Sequence, residues 1–187
     1  MIYTTLNKIR DKRPCQSGWE TLLKHLGKSA ADDEPLGLDI IVESNGIGDA
    51  LWSLRTVPEH HKTWRLLAVK FAREVQHLMK DERSIKALDV CEAHAKGEAT
   101  DEQLKEAKTT AYAAAADAYA DADADAAAAA AADAAAAAAA DAADADDAAA
   151  SAAAASAAAA AASAAAARKA MREKQKEIFI AMLNQAQ

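Results

Sequence analysis

Three prolines, six glycines, two cysteines and 4% aromatic residues are all that 187 positions carry of these types. Two cysteines, Cys15 and Cys91, make no disulfide framework, so reduced thiols are expected. No run of 18 strongly apolar residues exists, which argues against a transmembrane helix. Met1-Ile2-Tyr3-Thr4-Thr5 offers neither the charged opening nor the apolar stretch of a signal peptide, so a cytoplasmic protein is the expectation. From Glu98 to Gln187 there is no Gly or Pro at all. Residues 111–167 also lack Lys and Arg: these 57 positions hold 43 Ala, nine Asp, three Ser and two Tyr.

What is present follows from that. Ala is the strongest intrinsic helix former, so the tract reads as helix, although it offers little area for a deep core. Net charge is −7 and unevenly placed: residues 1–110 carry 17 basic and 18 acidic groups, residues 111–167 nine acidic, and residues 168–187 five basic and two acidic. Phosphates would be repelled by the acidic tract, so direct nucleic-acid binding is not expected. A basic protein partner suits it better.

Along the front half, helical spacing recurs and no convincing strand is found. A helix over 1–13 with Leu6 and Ile9 inward should end at Pro14. Ser17 and Glu20 have the spacing of a capping box for a helix carrying Trp19, Leu22, Leu23 and Leu26, closed by Gly27. Asp32 or Asp33 is expected to cap the next helix, with Pro35 in its first turn, Leu36, Ile40 and Ile41 on its apolar face, and Asn45-Gly46 as its stop. Asp49 is a candidate cap for a short helix bearing Leu51, Trp52 and Leu54. Pro58 opens a helix to about Lys80, with Trp64, Leu67, Ala68, Phe71, Val75 and Leu78 inward and Arg65, Arg73 and Glu74 on other faces. Residues 82–96, with Ile85, Leu88, Val90 and Cys91, make another helix ending at Gly97, and Thr100 with Gln103 starts the next. The expected fold is all-α: an array of short helices over 1–108, then an Ala/Asp-rich helical region over 109–187 with a basic amphipathic C-terminal helix packed on the first part.

One unbroken helix from Glu98 onward would be roughly 135 Å long at about 1.5 Å per residue. Asp117, Asp121, Asp125, Asp133 and Asp141 lie on a four-residue lattice, and each step turns the position by about 40°. On a straight rod they would spiral; cut into segments they fall on single faces. Breaks are therefore expected within about 121–126 and 143–149, with Tyr112 and Tyr119 opposite the first acidic stripe. Small side chains would let the segments approach toward the lower end of about 8–10 Å. In the tail, Met171, Ile178, Phe179, Met182 and Leu183 supply larger apolar groups, while Arg168, Lys169, Arg172, Lys174 and Lys176 can meet the acidic stripes.

Chemistry-bearing patterns are weak. His60-His61 beside Glu59 point about 100° apart on a helix and rarely share an ion. Cys91 and His94 share a helix face but lack a second ligand pair. His25 and His77 suit ordinary packing or rim polarity. Gly46-Ile47-Gly48 is too short to cradle a phosphate, and the Asp-rich runs lack the glycine and bidentate Glu of a calcium loop. No serine elbow, Walker loop or dinucleotide fingerprint occurs. No catalytic residue, cofactor site or metal site is assigned, and a non-enzymatic protein is expected.

The segment Arg65-Leu66-Leu67-Ala68-Val69-Lys70-Phe71-Ala72-Arg73, then Asp81-Glu82-Arg83, Ala87, Glu92 and Ala95-Lys96-Gly97-Glu98-Ala99-Thr100, followed by an Ala-rich tail, resembles the Imm-5-like immunity proteins, including phage- and prophage-borne versions. The opening Met1-Ile2-Tyr3-Thr4-Thr5-Leu6-Asn7-Lys8-Ile9-Arg10 resembles theirs too. Family members interleave Trp and Arg with their Ala blocks, where this chain has Asp and Ala. The resemblance implies an all-α inhibitor that binds a toxin or a host defence effector, and it brings no catalytic motif. Asp117, Asp121, Asp125, Asp133 and Asp141 are the expected partner-binding residues. Two alternatives share the pattern: an acidic DNA mimic that occupies a defence enzyme, and a structural helical scaffold. Ice binding lacks its regular Thr face, since no Thr follows Thr110.

Overall fold

The computed structural model describes residues 1–120 and 165–185, and side chains over 1–117 and 169–185. The fold is all-α, with one very small sheet. The elements are β1 (Tyr3–Thr4), α1 (Leu6–Asp11), α2 (Gln16–Leu26), β2 (Leu36–Gly37), α3 (Leu38–Asn45), α4 (Ile47–Ser53), α5 (His61–Arg73), α6 (Glu82–Lys96), α7 (Asp101–Ala120) and α8 (Ala165–Gln185). Short 3-10 turns at Leu54–Thr56, Pro58–His60 and Gln76–Leu78 join some of them.

The sheet is a departure from the sequence expectation. β1 and β2 pair antiparallel, Tyr3 opposite Gly37 and Thr4 opposite Leu36, and the Leu38 amide donates to the Ile2 carbonyl at 3.2 Å. Ile2, Thr4 and Thr5 are β-branched and favour extended backbone, so α1 starts only where Thr5 caps it by accepting from the Lys8 amide at 3.2 Å. Two paired residues leave no periodic trace in the sequence. Behind them the Thr4 hydroxyl meets the Thr56 hydroxyl at 2.7 Å; Thr56 donates to the Ser53 carbonyl, so Thr4 is the donor between the two.

The glycine stops were placed correctly. Gly27 and Gly97 both sit in the left-handed region, at φ +65° and +81°, and close α2 and α6. The capping box at α7 is also present: Gln103 Oε1 accepts from the Thr100 amide at 2.8 Å and Thr100 Oγ1 from the Gln103 amide at 3.3 Å. Three other expected caps are not, Asp49 among them, since it lies inside α4, whose cap is Gly46. α2 begins at Gln16 with Cys15 as its cap, because Gln16 Nε2 takes Glu20 at 2.8 Å and draws that carboxylate away from Ser17. Asp32 serves the loop rather than a helix: it pairs with Lys28 and accepts from the Glu34 amide at 3.1 Å. With β2 intervening, α3 starts at Leu38 and Pro35 lies outside it.

The long helix expected from Pro58 to Lys80 is α5 with a 3-10 turn at each side. Trp64, Leu67, Ala68, Phe71 and Val75 are all buried, and Trp64 Nε1 donates to the Val57 carbonyl at 3.1 Å. Arg65, placed on an outer face from the sequence, is instead 2% exposed. The cause is that α5 is covered from two directions, by α6 and by α8, so its covered surface is wider than one stripe.

One core cluster runs through the described elements, from Ile2, Leu6 and Ile9 through Leu38, Leu51, Leu54 and Leu88 to Phe179, Met182 and Leu183 of α8. The C-terminal helix reaches it by packing on α5, α3 and α4. α7 packs on α6 through Leu104, Ala107, Ala111, Ala114 and Ala115, where side-chain size falls along the helix and dispersion contact takes over from area burial.

Candidate functional site

Of the five aspartates expected to bind a partner, Asp117 is described; Asp121, Asp125, Asp133 and Asp141 lie outside the described residues, as do the expected helix breaks. Asp117 is two-thirds exposed but not unpaired. Arg83 Nη2 donates to its carboxylate at 2.6 Å, and the same guanidinium binds Asp81 at 2.5 and 2.9 Å. Asp81 in turn caps α6 by accepting from the Arg83 amide at 2.8 Å. The Arg83 hydrogen bonds hold the Asp81 carboxyl below its ordinary range. Asp117 thus ties α7 to the start of α6, a use that its place in a repeated Asp lattice gave no sign of.

Tyr112 was placed opposite the acidic stripe. It is 50% exposed, and Asp117 is exposed as well. The buried stripe of α7 runs between them through Ala111, Ala114 and Ala115, because the close approach of α6 admits methyl groups and leaves no room for a ring. Lys169, Arg172 and Lys174 on α8 are exposed, and Lys174 pairs with Glu177 of its own helix at 3.7 Å.

The two histidine patterns separate. Cys91 is fully buried, and desolvation pushes its thiol up to about 12, while His94 Nε2 meets Asp101 at 2.8 Å on the start of α7. His60 packs edge-on against Trp64 at 5.8 Å, and His61 is exposed. His25 and His77 are exposed. No group of three His, Cys, Asp or Glu among the described residues is placed to hold a metal ion.

A cavity of about 110 Å³ opens between α1, α2, α3 and α4. Trp19 and Trp52 line it, with Pro14 and Ile41 behind and Asp49 and Cys15 as polar neighbours. The sequence reading put both tryptophans on helices, and both are half-buried. Asn45 organises the polar side: its Nδ2 donates to the Gly18 carbonyl and to Asp49 Oδ2, each at 2.8 Å, and its Oδ1 accepts from Ser44 at 2.7 Å. Gly18 makes this approach possible. A Cβ there would stand 2.7 Å from Asp49 Oδ2. Arg55 fixes Trp52 from outside, with its guanidinium 4.7 Å from the ring centroid and its Nε donating to the Trp52 carbonyl at 2.8 Å.

A second cavity, about 330 Å³, lies between α5, α6 and α8 beside Arg73 and Ile178. The Arg73 guanidinium is already taken by Gln76, Asp89 and Glu92. Among the described residues no helix is long and apolar enough to cross a membrane. No protein-family model, curated protein or solved structure matches the chain.

Proposed function

We propose that this chain is a non-enzymatic, immunity-type protein that binds and blocks a toxin or effector in the cytoplasm, in the manner the resemblance to Imm-5-like proteins implies. Charge segregation carries the reading. The nine aspartates of residues 111–167 share the tract with no Lys or Arg, while the 110 residues before it are near neutral. A basic partner would meet such a surface quickly and in a salt-sensitive way. Asp117 marks its proximal edge, exposed though held by Arg83.

Tagged protein captured from the host, followed by mass spectrometry and titration of the purified partner, tests this. Changing Asp121, Asp125, Asp133 and Asp141 to Asn should slow association and flatten its dependence on salt. Unchanged capture by that variant would overturn the acidic tract as the binding surface. A DNA-mimic reading has one observation in its favour: on a helix the four-residue Asp spacing is about 6 Å along the axis, near the phosphate repeat of one strand. A captured DNA-binding enzyme from which DNA displaces this protein would select it.

A further inference from the structure

Among the described residues Asp49 is the one acidic group lining the two-tryptophan cavity, and its Oδ2 is bound by the neutral Asn45 amide. Among the described residues no Lys, Arg or His pairs with it. The Asn45 donor is neutral, and the Arg55 guanidinium that stacks on Trp52 is not among the groups that line the cavity. Both amide hydrogens of Asn45 are in use, so that residue has nothing left to offer a ligand. Beside the carboxylate stand two indoles, the ring type with the strongest attraction for cations. The cavity, about 110 Å³, opens to the surface, so a compact branched head can enter while the rest of its molecule stays outside. Gly18 in the first turn of α2 costs helix stability, by about 1 kcal/mol relative to Ala, and what it secures is the position of Asp49.

We propose that this cavity binds a quaternary ammonium head of trimethylammonium size, with Trp19 and Trp52 against the methyl groups and Asp49 supplying the counter-charge. The site lies wholly in the front helices and does not depend on the acidic tract or on any protein partner. Cys15, exposed at the cavity edge, reports occupancy because a bound ligand would shield its thiol.

Choline and its neutral carbon isostere 3,3-dimethylbutan-1-ol have the same shape and differ in charge. Titration of the full chain, read by tryptophan fluorescence and calorimetry, should show choline binding at least about tenfold tighter than the alcohol, the size of one desolvated cation–π and ion contact. Choline should also slow alkylation of Cys15. Asp49→Asn should bring the two ligands to within about threefold of each other, with the helical circular dichroism spectrum retained. Equal affinities in the unaltered protein, or no saturable binding of choline, would overturn the proposal without recourse to any variant. Phosphatidylcholine vesicles give the source: retention that choline competes away assigns a lipid headgroup, and choline binding without retention assigns the free ion.

Discussion

Phe179→Ala is the most informative single change, because Phe179 is where α8 enters the common core. The side chain is fully buried, with Leu183 one turn on and Met182 beside it. Removing a buried phenyl ring costs its transfer free energy plus that of the space left, about 3–5 kcal/mol. A domain of this kind has about 5–15 kcal/mol in all, so the change should consume roughly a fifth of it or more. With a urea slope of about 2 kcal/mol per molar, the midpoint should fall by roughly 2 M. Equilibrium unfolding followed by tryptophan fluorescence and by circular dichroism measures this, since Trp64 lies on α5, the helix that α8 covers. The two signals should move together. Lys174→Ala, an exposed position with a 3.7 Å pair to Glu177, should stay within about 0.5 kcal/mol of the unaltered chain. A Phe179→Ala midpoint lowered by less than about 0.5 M at unchanged slope would refute the reasoning. It would mean that α8 adds helix but no shared core.

Gly18→Ala should destabilise, against the gain of about 1 kcal/mol that an open helix site would give, because the new methyl must displace Asp49; thermal unfolding shows the sign. Thr100→Ala removes one half of the α7 capping box and should cost about 1 kcal/mol in denaturant unfolding. Cys15 should react with a thiol reagent in the native state, while Cys91, fully buried, should react only on unfolding. Burial raises the folded Cys91 value from 9.0 to about 12, so the unfolded chain ionises first and stability should fall as pH climbs through that window; Cys91→Ala should flatten the fall. At the acid end, Asp81 is held down mainly by Arg83 and Glu92 mainly by Lys96. Their contribution is present above the ordinary values of 3.8 and 4.5 and is lost as pH falls through the lowered folded values, and Arg83→Gln should remove the Asp81 part of that loss.

What the sequence showed and what it hid divide along physical lines. Local chemistry was legible: the glycine stops at Gly27 and Gly97, the Thr100–Gln103 box and the apolar stripe of α5 depend on residues within a turn or two of each other. Contacts between distant residues were not. The Tyr3–Gly37 ladder is too short to set up a period, and the burial of Arg65 follows from a second helix arriving on α5. Asp49 looked like a cap because its sequence neighbours suit one; its actual partner is Asn45, one turn back, and its position depends on Gly18 of another helix. The Trp cavity was hidden for the same reason. The sequence puts Trp19 and Trp52 on two helices, but does not say that those helices meet around a space left open between them.

The small β1–β2 ladder has a kinetic consequence out of proportion to its size. The Thr4–Thr56 hydrogen bond joins positions 52 residues apart, whereas α6 and α7 meet across a turn of a few residues at Gly97–Thr100. Closing a long loop forfeits chain entropy that grows as about 1.5 RT ln n, before any contact repays it. Helix pairs near in sequence assemble early, and non-local pairings come late. The α6–α7 hairpin therefore forms early, and the chain's opening residues are a latch that shuts after it, once residues 36–56 have found their places. Substitutions at Thr4 should hasten unfolding and leave the folding rate almost unchanged, the mark of an interaction made after the main barrier.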